Sequence, residues 1–491
     1  MRNVARFATS SLLASAASAQ VVQWNIEKRS DSAPRLSRRA GSTVEEVITN
    51  EKMRGGYFAS CSVGTPPQKV TLQLDTGSSD IWVPASTARV CTQRSSSRGG
   101  GCTFGSYDAN QSSTGQPVSD DFQIAYVDGS YSRGEYIAET FGIGDVELAN
   151  VTMGLGLDTD IAYGLVGVGY ELNEASVRNS ELYPNLPVVM RNEGRIKTNA
   201  YSLWLNDLGA STGNILFGGI DTDKYMGDLI RVNVQKDARS GQFTSFTVHL
   251  TSLQAHSSTG DDAFSSSSFP VPVVLDSGTT LSYLPQDLAE KVWEEVGAEY
   301  YLIGQQGAAP LIPCAMGNNN GYFTFGFGGQ GGPAIKVGMD ELVLPIFTGG
   351  PVPFNSGPFK GQDACQFGIQ NISGNSFLLG DTFLRSAYVV YDLENNEIAI
   401  APTDFNATTS NIIPFPSLKA TIPSSTPAPS QDAPVSSASG GQDYNAQGGF
   451  TKQGSGENAG SHLPALELTQ MAVMGVSMGM MIFGGGMFLL F

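Results

Sequence analysis

Two ten-residue stretches of this 491-residue chain could carry chemistry together. Residues 75–84 read Asp-Thr-Gly-Ser-Ser-Asp-Ile-Trp-Val-Pro, and residues 276–285 read Asp-Ser-Gly-Thr-Thr-Leu-Ser-Tyr-Leu-Pro. Both follow one pattern: acid, hydroxyl, Gly, two hydroxyls, two variable residues, aromatic, aliphatic, Pro. Two carboxylates held close together cannot both ionise cheaply, so Asp75 and Asp276 would share one proton and titrate as a pair. One can then act as general base on a water while the other donates a hydrogen bond to a carbonyl oxygen. Gly77 and Gly278 permit a tight turn and close backbone approach. The hydroxyls of Thr76, Ser78, Ser277 and Thr279 can bond the backbone and the outer carboxylate oxygens.

The flanking residues indicate what positions these motifs. Each follows an apolar or alternating strand, Val70–Leu74 and Val271–Leu275. Each is answered later by an apolar pair and a glycine, Leu165-Val166-Gly167 and Leu378-Leu379-Gly380. The expected fold is mostly β and bilobal, with pseudo-two-fold symmetry, the carboxylates on the axis and a cleft between the lobes. Only 15% of residues are charged and 58 are Gly, which suits strands and turns better than helical repeats. The net charge of −18 gives no basic face for nucleic acid.

From about Gly55 to Pro402 the sequence resembles the pepsin-type (A1 family) aspartic endopeptidases. Further matches are Val63-Gly-Thr-Pro-Pro-Gln68, Leu216-Phe-Gly-Gly-Ile-Asp221 and Leu379-Gly-Asp-Thr-Phe-Leu-Arg385. With its two ends included, the chain most resembles the yapsin-like GPI-anchored proteases of fungi. The resemblance implies that Asp75 and Asp276 are catalytic. It also implies an extended polypeptide substrate, no cofactor or metal, and a monomer. It assigns a substrate-covering flap to Ile124–Ser130, with Tyr126 packing on substrate and held by a hydrogen bond from Trp82. Asp128, Gly129 and Ser130 complete the flap, and Asp128 is the candidate for selecting Lys or Arg before the scissile bond. Val127 departs from the family, where Gly is usual.

The ends imply a secretory route. Arg2 and Arg6, an uncharged run and Ala17-Ser18-Ala19 read as a signal peptide, residues 1–19. Residues 20–39 read as a basic propeptide lying over an acidic cleft, with maturation at Arg29 or Arg39. The lobes follow at 40–225 and 226–405. The Ser/Thr/Pro/Gly-rich stretch 406–458 reads as an extended stalk with too little apolar surface to fold. Met471–Phe491 carries no charge and follows a polar spacer and the small triplet Asn458-Ala459-Gly460. That is the pattern of a GPI-attachment signal, with Asn458 as attachment residue, Ser455 or Gly456 as alternatives, and 459–491 removed. The expected destination is the plasma membrane through a GPI lipid, or the cell wall. Sequons stand at Asn110, Asn150, Asn371 and Asn406.

Five cysteines leave one unpaired. Fifteen arrangements are open; Cys91–Cys102 is the natural local pair and Cys314–Cys365 the companion, with Cys61 a buried free thiol. Two other motifs are discounted. Gly209–Gly213 matches a nucleophile elbow but precedes a strand, and Gly326–Gly331 matches a dinucleotide loop but precedes Pro333 rather than a helix. The alternative to an endopeptidase is a non-catalytic cell-wall binding protein of the same fold; both intact motifs argue against it.

Overall fold

A computed structural model describes residues 21–29, 56–93, 101–126, 129–144, 146–176, 182–210, 212–302, 308–346, 352–372, 374, 376–431 and 443–451. Signal peptide, Asn458 and the C-terminal apolar tail lie outside these residues.

The protein is mostly β. Strands β1 (Val22–Arg29), β2 (Gly56–Val63), β3 (Gln68–Asp75) and β4 (Ile81–Pro84) begin the chain. Next come β5 (Gln116–Ala125), β6 (Tyr131–Ile143), β7 (Val146–Thr159) and β8 (Gly164–Gly167). The middle contributes β9 (Ala200–Trp204), β10 (Thr212–Phe217), β11 (Gly219–Asp221) and β12 (Leu229–Asn233). The second half adds β13 (Val271–Leu275), β14 (Ser282–Leu284), β15 (Ile369–Asn371) and β16 (Phe377–Leu379). It closes with β17 (Ala387–Asp392), β18 (Glu397–Pro402), β19 (Ile412–Pro414) and β20 (Ser425–Pro427).

The pseudo-symmetry is visible in strand pairing. In the first half β3 runs parallel to β8, and β4 is antiparallel to β8 and parallel to β7. In the second half β13 runs parallel to β16, and β14 is antiparallel to β16 and parallel to β15. Each motif aspartate ends or directly follows the first strand of its set. Among the described residues, one sheet of fourteen strands crosses both halves in the order β20-β12-β18-β17-β9-β10-β1-β2-β3-β8-β4-β7-β6-β5. The halves are also joined through a buried ion pair within the second half, Arg385 with Glu341: the second Glu341 oxygen accepts from the Leu208 amide of the first half at 2.9 Å.

Two expectations about the ends are corrected. Residues 22–29 of the expected propeptide do not lie over a cleft. They form β1, an interior strand between β2 and β10, with Val22, Trp24 and Ile26 buried. The basic residues mark its end, but alternating apolar residues decide where it goes. The rest of that segment, residues 30–39, lies outside the described residues.

Nor do the described parts of the expected stalk extend away. β19 pairs with β11, and β20 runs parallel to β12 at the sheet edge. Phe415 and Ile422 are fully buried. Residues 443–451 dock again, with Phe450 stacked on Phe323 at 5.7 Å between ring centroids. The Ala446 amide donates to Asp262 and the Ser257 hydroxyl donates to the Ala446 carbonyl. Composition averaged over fifty residues hides a few well-spaced aromatic and aliphatic anchors.

The Gly209–Gly213 region turns between antiparallel β9 and β10, and Gly328–Gly332 turns between strands Tyr322–Phe327 and Ala334–Gly338. Cys91–Cys102 and Cys314–Cys365 are disulfides, and Cys61 is a buried free thiol.

Candidate active site

Asp75 and Asp276 are fully buried and meet where the two halves join, each against the glycine of the other's motif. Each carboxylate is held the same way. The Gly77 amide donates to Asp75 Oδ1 at 2.8 Å and the Ser78 hydroxyl to Oδ2 at 2.5 Å. The Gly278 amide donates to Asp276 Oδ1 at 2.8 Å and the Thr279 hydroxyl to its Oδ2. The glycines are required by proximity: a Cβ on Gly77 would stand 2.6 Å from Asp276 Oδ1, and one on Gly278 would crowd Asp75 as closely.

The second motif residues bond across the axis. Thr76 Oγ1 donates to the Leu275 carbonyl at 2.9 Å and accepts from the Ser277 amide at 2.9 Å. Ser277 Oγ donates to the Leu74 carbonyl at 3.1 Å and accepts from the Thr76 amide at 3.2 Å. These four bonds satisfy buried backbone groups at both strand ends and lock one half against the other.

Burial, then the neighbouring Asp276 charge, pushes Asp75 well above the usual carboxylate range. Burial also raises Asp276, opposed by the Thr279 hydroxyl and the Gly278 amide. The pair therefore retains a proton where an exposed aspartate would have lost it.

Strands β5 and β6 form the hairpin predicted as a flap. Its turn is closed by the Tyr126 amide donating to the Ser130 carbonyl and the Gly129 amide donating to the Tyr126 carbonyl, both at 2.9 Å. Gly129 has φ of +84°, which favours glycine. Tyr126 is fully buried, and its hydroxyl accepts from Trp82 Nε1 at 2.7 Å. Asp128 and Val127 lie outside the described residues, so the candidate for basic selectivity has no structural account.

Sequence reading missed the network behind the flap. Asp80 is fully buried and accepts from Tyr183 at 2.7 Å, Tyr136 at 3.2 Å and the Ala175 amide at 2.8 Å. Its signal was available: an acid inside a stretch of otherwise apolar and hydroxyl residues. Among the sequons, Asn110, Asn150 and Asn406 are exposed and Asn371 is half-buried. Asn406 Nδ2 already donates to Asp207 at 2.5 Å. Among the described residues no group of acids, His and Cys is arranged to hold a metal ion.

Residues 56–403 match the family model described as eukaryotic aspartyl protease. The chain is 41% identical over 411 residues to the probable aspartic-type endopeptidase OPSB of Arthroderma benhamiae, covering 82% of this chain and 80% of that one. A probable aspartic-type endopeptidase opsB of Aspergillus oryzae is 40% identical over 396 residues, 80% of this chain and 77% of the relative. Secreted aspartic protease 3 of Candida albicans is 34% identical over 370 residues, 75% of this chain and 84% of the relative. The chain belongs to the eukaryotic aspartyl protease family and is an aspartic-type endopeptidase.

Proposed function

We propose that Asp75 and Asp276 are the catalytic pair of a secreted, surface-held endopeptidase that cleaves extended segments of cell-surface or secreted proteins. The observation that carries this reading is the reciprocal hydroxyl and amide support of two buried carboxylates at the junction of two equivalent halves. The ionised carboxylate takes a proton from a water, whose oxygen attacks the scissile carbonyl carbon. The protonated carboxyl donates to the carbonyl oxygen, stabilising the tetrahedral intermediate. On collapse the C–N bond breaks, the amine leaves with the proton taken from the water, and the pair again holds one proton. The Tyr126 hairpin closes over the substrate and limits access of bulk water.

The secretory reading rests on the N-terminal leader pattern and the sequons. Attachment through lipid at Asn458 rests on the small triplet, spacer and apolar tail. Preference for Lys or Arg before the cleaved bond rests on Asp128 in the flap turn. One experiment separates these parts. Cells expressing the full chain are treated with a phosphatidylinositol-specific phospholipase, and the released protein is assayed on a peptide library with a statine-type inhibitor present or absent. Release, inhibitor-sensitive cleavage and basic residues at the cut site are expected. Inhibitor-resistant cleavage overturns the catalytic reading, failure of release overturns the lipid anchor, and cuts unrelated to basic residues overturn the selectivity.

A further inference from the structure

A second pair of buried carboxylates lies behind the flap, and the chemistry proposed above does not use it. Asp80 stands five residues after Asp75 on the same loop. Glu174 is likewise fully buried. Its Oε2 accepts from the Tyr183 amide at 3.2 Å and from Ser176 Oγ at 3.3 Å, while its Oε1 is buried without a partner. Tyr183 joins the two acids, because its hydroxyl donates to Asp80 and its amide to Glu174. The Ala175 amide, next to Glu174, donates to the other Asp80 oxygen.

The same segment braces the loop that carries Asp75. Asn173 Nδ2 donates to the Gly77 carbonyl at 2.9 Å, and Ser79 Oγ donates to the Tyr170 carbonyl at 2.6 Å. On its other side the pair grips the flap. Tyr136 of β6 donates to Asp80 and packs edge-on against Phe122 of β5 at 5.2 Å. Phe122 and Tyr126 share one apolar cluster with Trp82.

We propose that Asp80 and Glu174 are positioning residues that hold the base of the flap against the Asp75 loop only while they carry a single negative charge between them. Asp80, with three donors, holds that charge. Glu174, with one oxygen unpartnered, holds the proton. The groups acting on Glu174 are Asp80 and Glu171, both acidic; Arg191 acts on Glu171. Tyr136 and Tyr183 face Asp80, with Asp121 acting on Tyr136. Burial and the nearby Asp80 charge push Glu174 up to about 9. Folding therefore binds a proton that the unfolded chain has released above its ordinary value near 4.5. Stability falls as pH rises from there toward the folded value. A second charge in this pocket has only the long bonds from the Tyr183 amide and Ser176 Oγ, with Oε1 left bare, and it repels the charge that holds Tyr136.

This inference rests on reading the Tyr126 hairpin as the lid of the Asp75–Asp276 pair, so its test includes a readout that needs no activity. The full secreted chain and its Glu174→Gln and Tyr183→Phe variants are followed by circular dichroism during alkaline titration, and by kcat/KM from pH 4 to 7.5. Gln has the shape of protonated Glu and adds no charge. Glu174→Gln is expected to fold, to raise the alkaline unfolding midpoint by about one pH unit, and, because Glu174 keeps its proton from pH 4 to 7.5, to leave the upper limb of kcat/KM at the pH set by Asp75 and Asp276. Tyr183→Phe removes a donor from Asp80 and is expected to lower the midpoint. Failure of Glu174→Gln to fold, or unchanged midpoints in both variants, overturns the inference. Unchanged midpoints leave the reading of Asp75 and Asp276 intact, because that reading is tested by inhibition.

Discussion

The two halves hold their aspartates with the same parts and diverge at the sixth motif position. Asp75 and Asp276 each take one amide and one hydroxyl, and Thr76 and Ser277 bond each other's strands. At the sixth position the first half has Asp80 and the second has Leu281. Leu281 is buried among Val274, Tyr283 and Leu378 in an apolar cluster. Asp80 organises two tyrosines and an amide. Two steps on, Trp82 stands opposite Tyr283 in the repeat, and Trp82 fastens the flap tyrosine. Symmetry thus serves the carboxylate pair, and asymmetry serves the Tyr126 hairpin on one side of it.

Equal roles at the axis imply equal losses. Asp75→Asn and Asp276→Asn are each expected to lower kcat by about 10²- to 10⁴-fold, the range for losing a positioned acid or base. A loss confined to one variant would break the equivalence. The cross-axis hydroxyls should also match: Thr76→Val and Ser277→Ala each leave buried backbone groups short of a partner, costing about 1–3 kcal/mol in denaturant unfolding. A double-mutant cycle should show coupling, because the four bonds share partners.

Asymmetry should appear at the aromatic position. Tyr126→Phe leaves the buried Trp82 N–H without its acceptor and is expected to lower kcat/KM about ten-fold, equivalent to about 1.4 kcal/mol. Tyr283→Phe in the second half should change it less than two-fold. Phe450→Ala tests whether the C-terminal segment belongs to the folded body. Truncating a buried aromatic costs about 3–5 kcal/mol when the site cannot collapse. A thermal midpoint unchanged within one degree would return residues 443–451 to the status of a stalk. The smallest effect is expected for Cys61→Ala, below about 1.5 kcal/mol and without loss of activity, since this buried thiol bonds only the Val70 carbonyl, at 3.6 Å.

The pH dependence of stability follows from the same pair. Asp75 keeps its proton in the folded state above the pH at which the unfolded chain releases it. Its cost to stability is absent below the ordinary aspartate value and grows as pH rises toward the folded value. Asp75→Asn removes that linkage, so the variant should gain stability relative to the native chain at pH 7 compared with pH 4, read from urea midpoints.

Much of the site was legible because it consists of residue types in a repeated order. Asp75, Asp276 and their hydroxyls sit where the motif spacing puts them, and Tyr126 meets Trp82 as the resemblance implied. The Asp80–Glu174 network was not legible because its members lie far apart in sequence and nothing in Tyr-Glu-Leu-Asn-Glu-Ala marks Glu174 as buried. The docking of β1 was not legible because its dibasic end drew attention from the alternation of Val22, Trp24 and Ile26. The C-terminal segment was misread because a window average cannot see that Phe415, Ile422 and Phe450 are each buried against the body. Both errors concern where a segment docks, which depends on partners distant in the chain.

The claim beneath all of this is that two carboxylates work with one proton. The most direct measurement is kcat/KM for an extended peptide from pH 2.5 to 8, using the full chain with Asp75→Asn and Asp276→Asn beside it. A two-limbed profile is expected. Activity should fall at low pH as the base is protonated and at higher pH as the shared proton leaves. Either Asn variant should fall about 10²- to 10⁴-fold below the native chain throughout and lose the two-limbed shape. A profile with a single limb, or one that persists in either variant, would contradict the account.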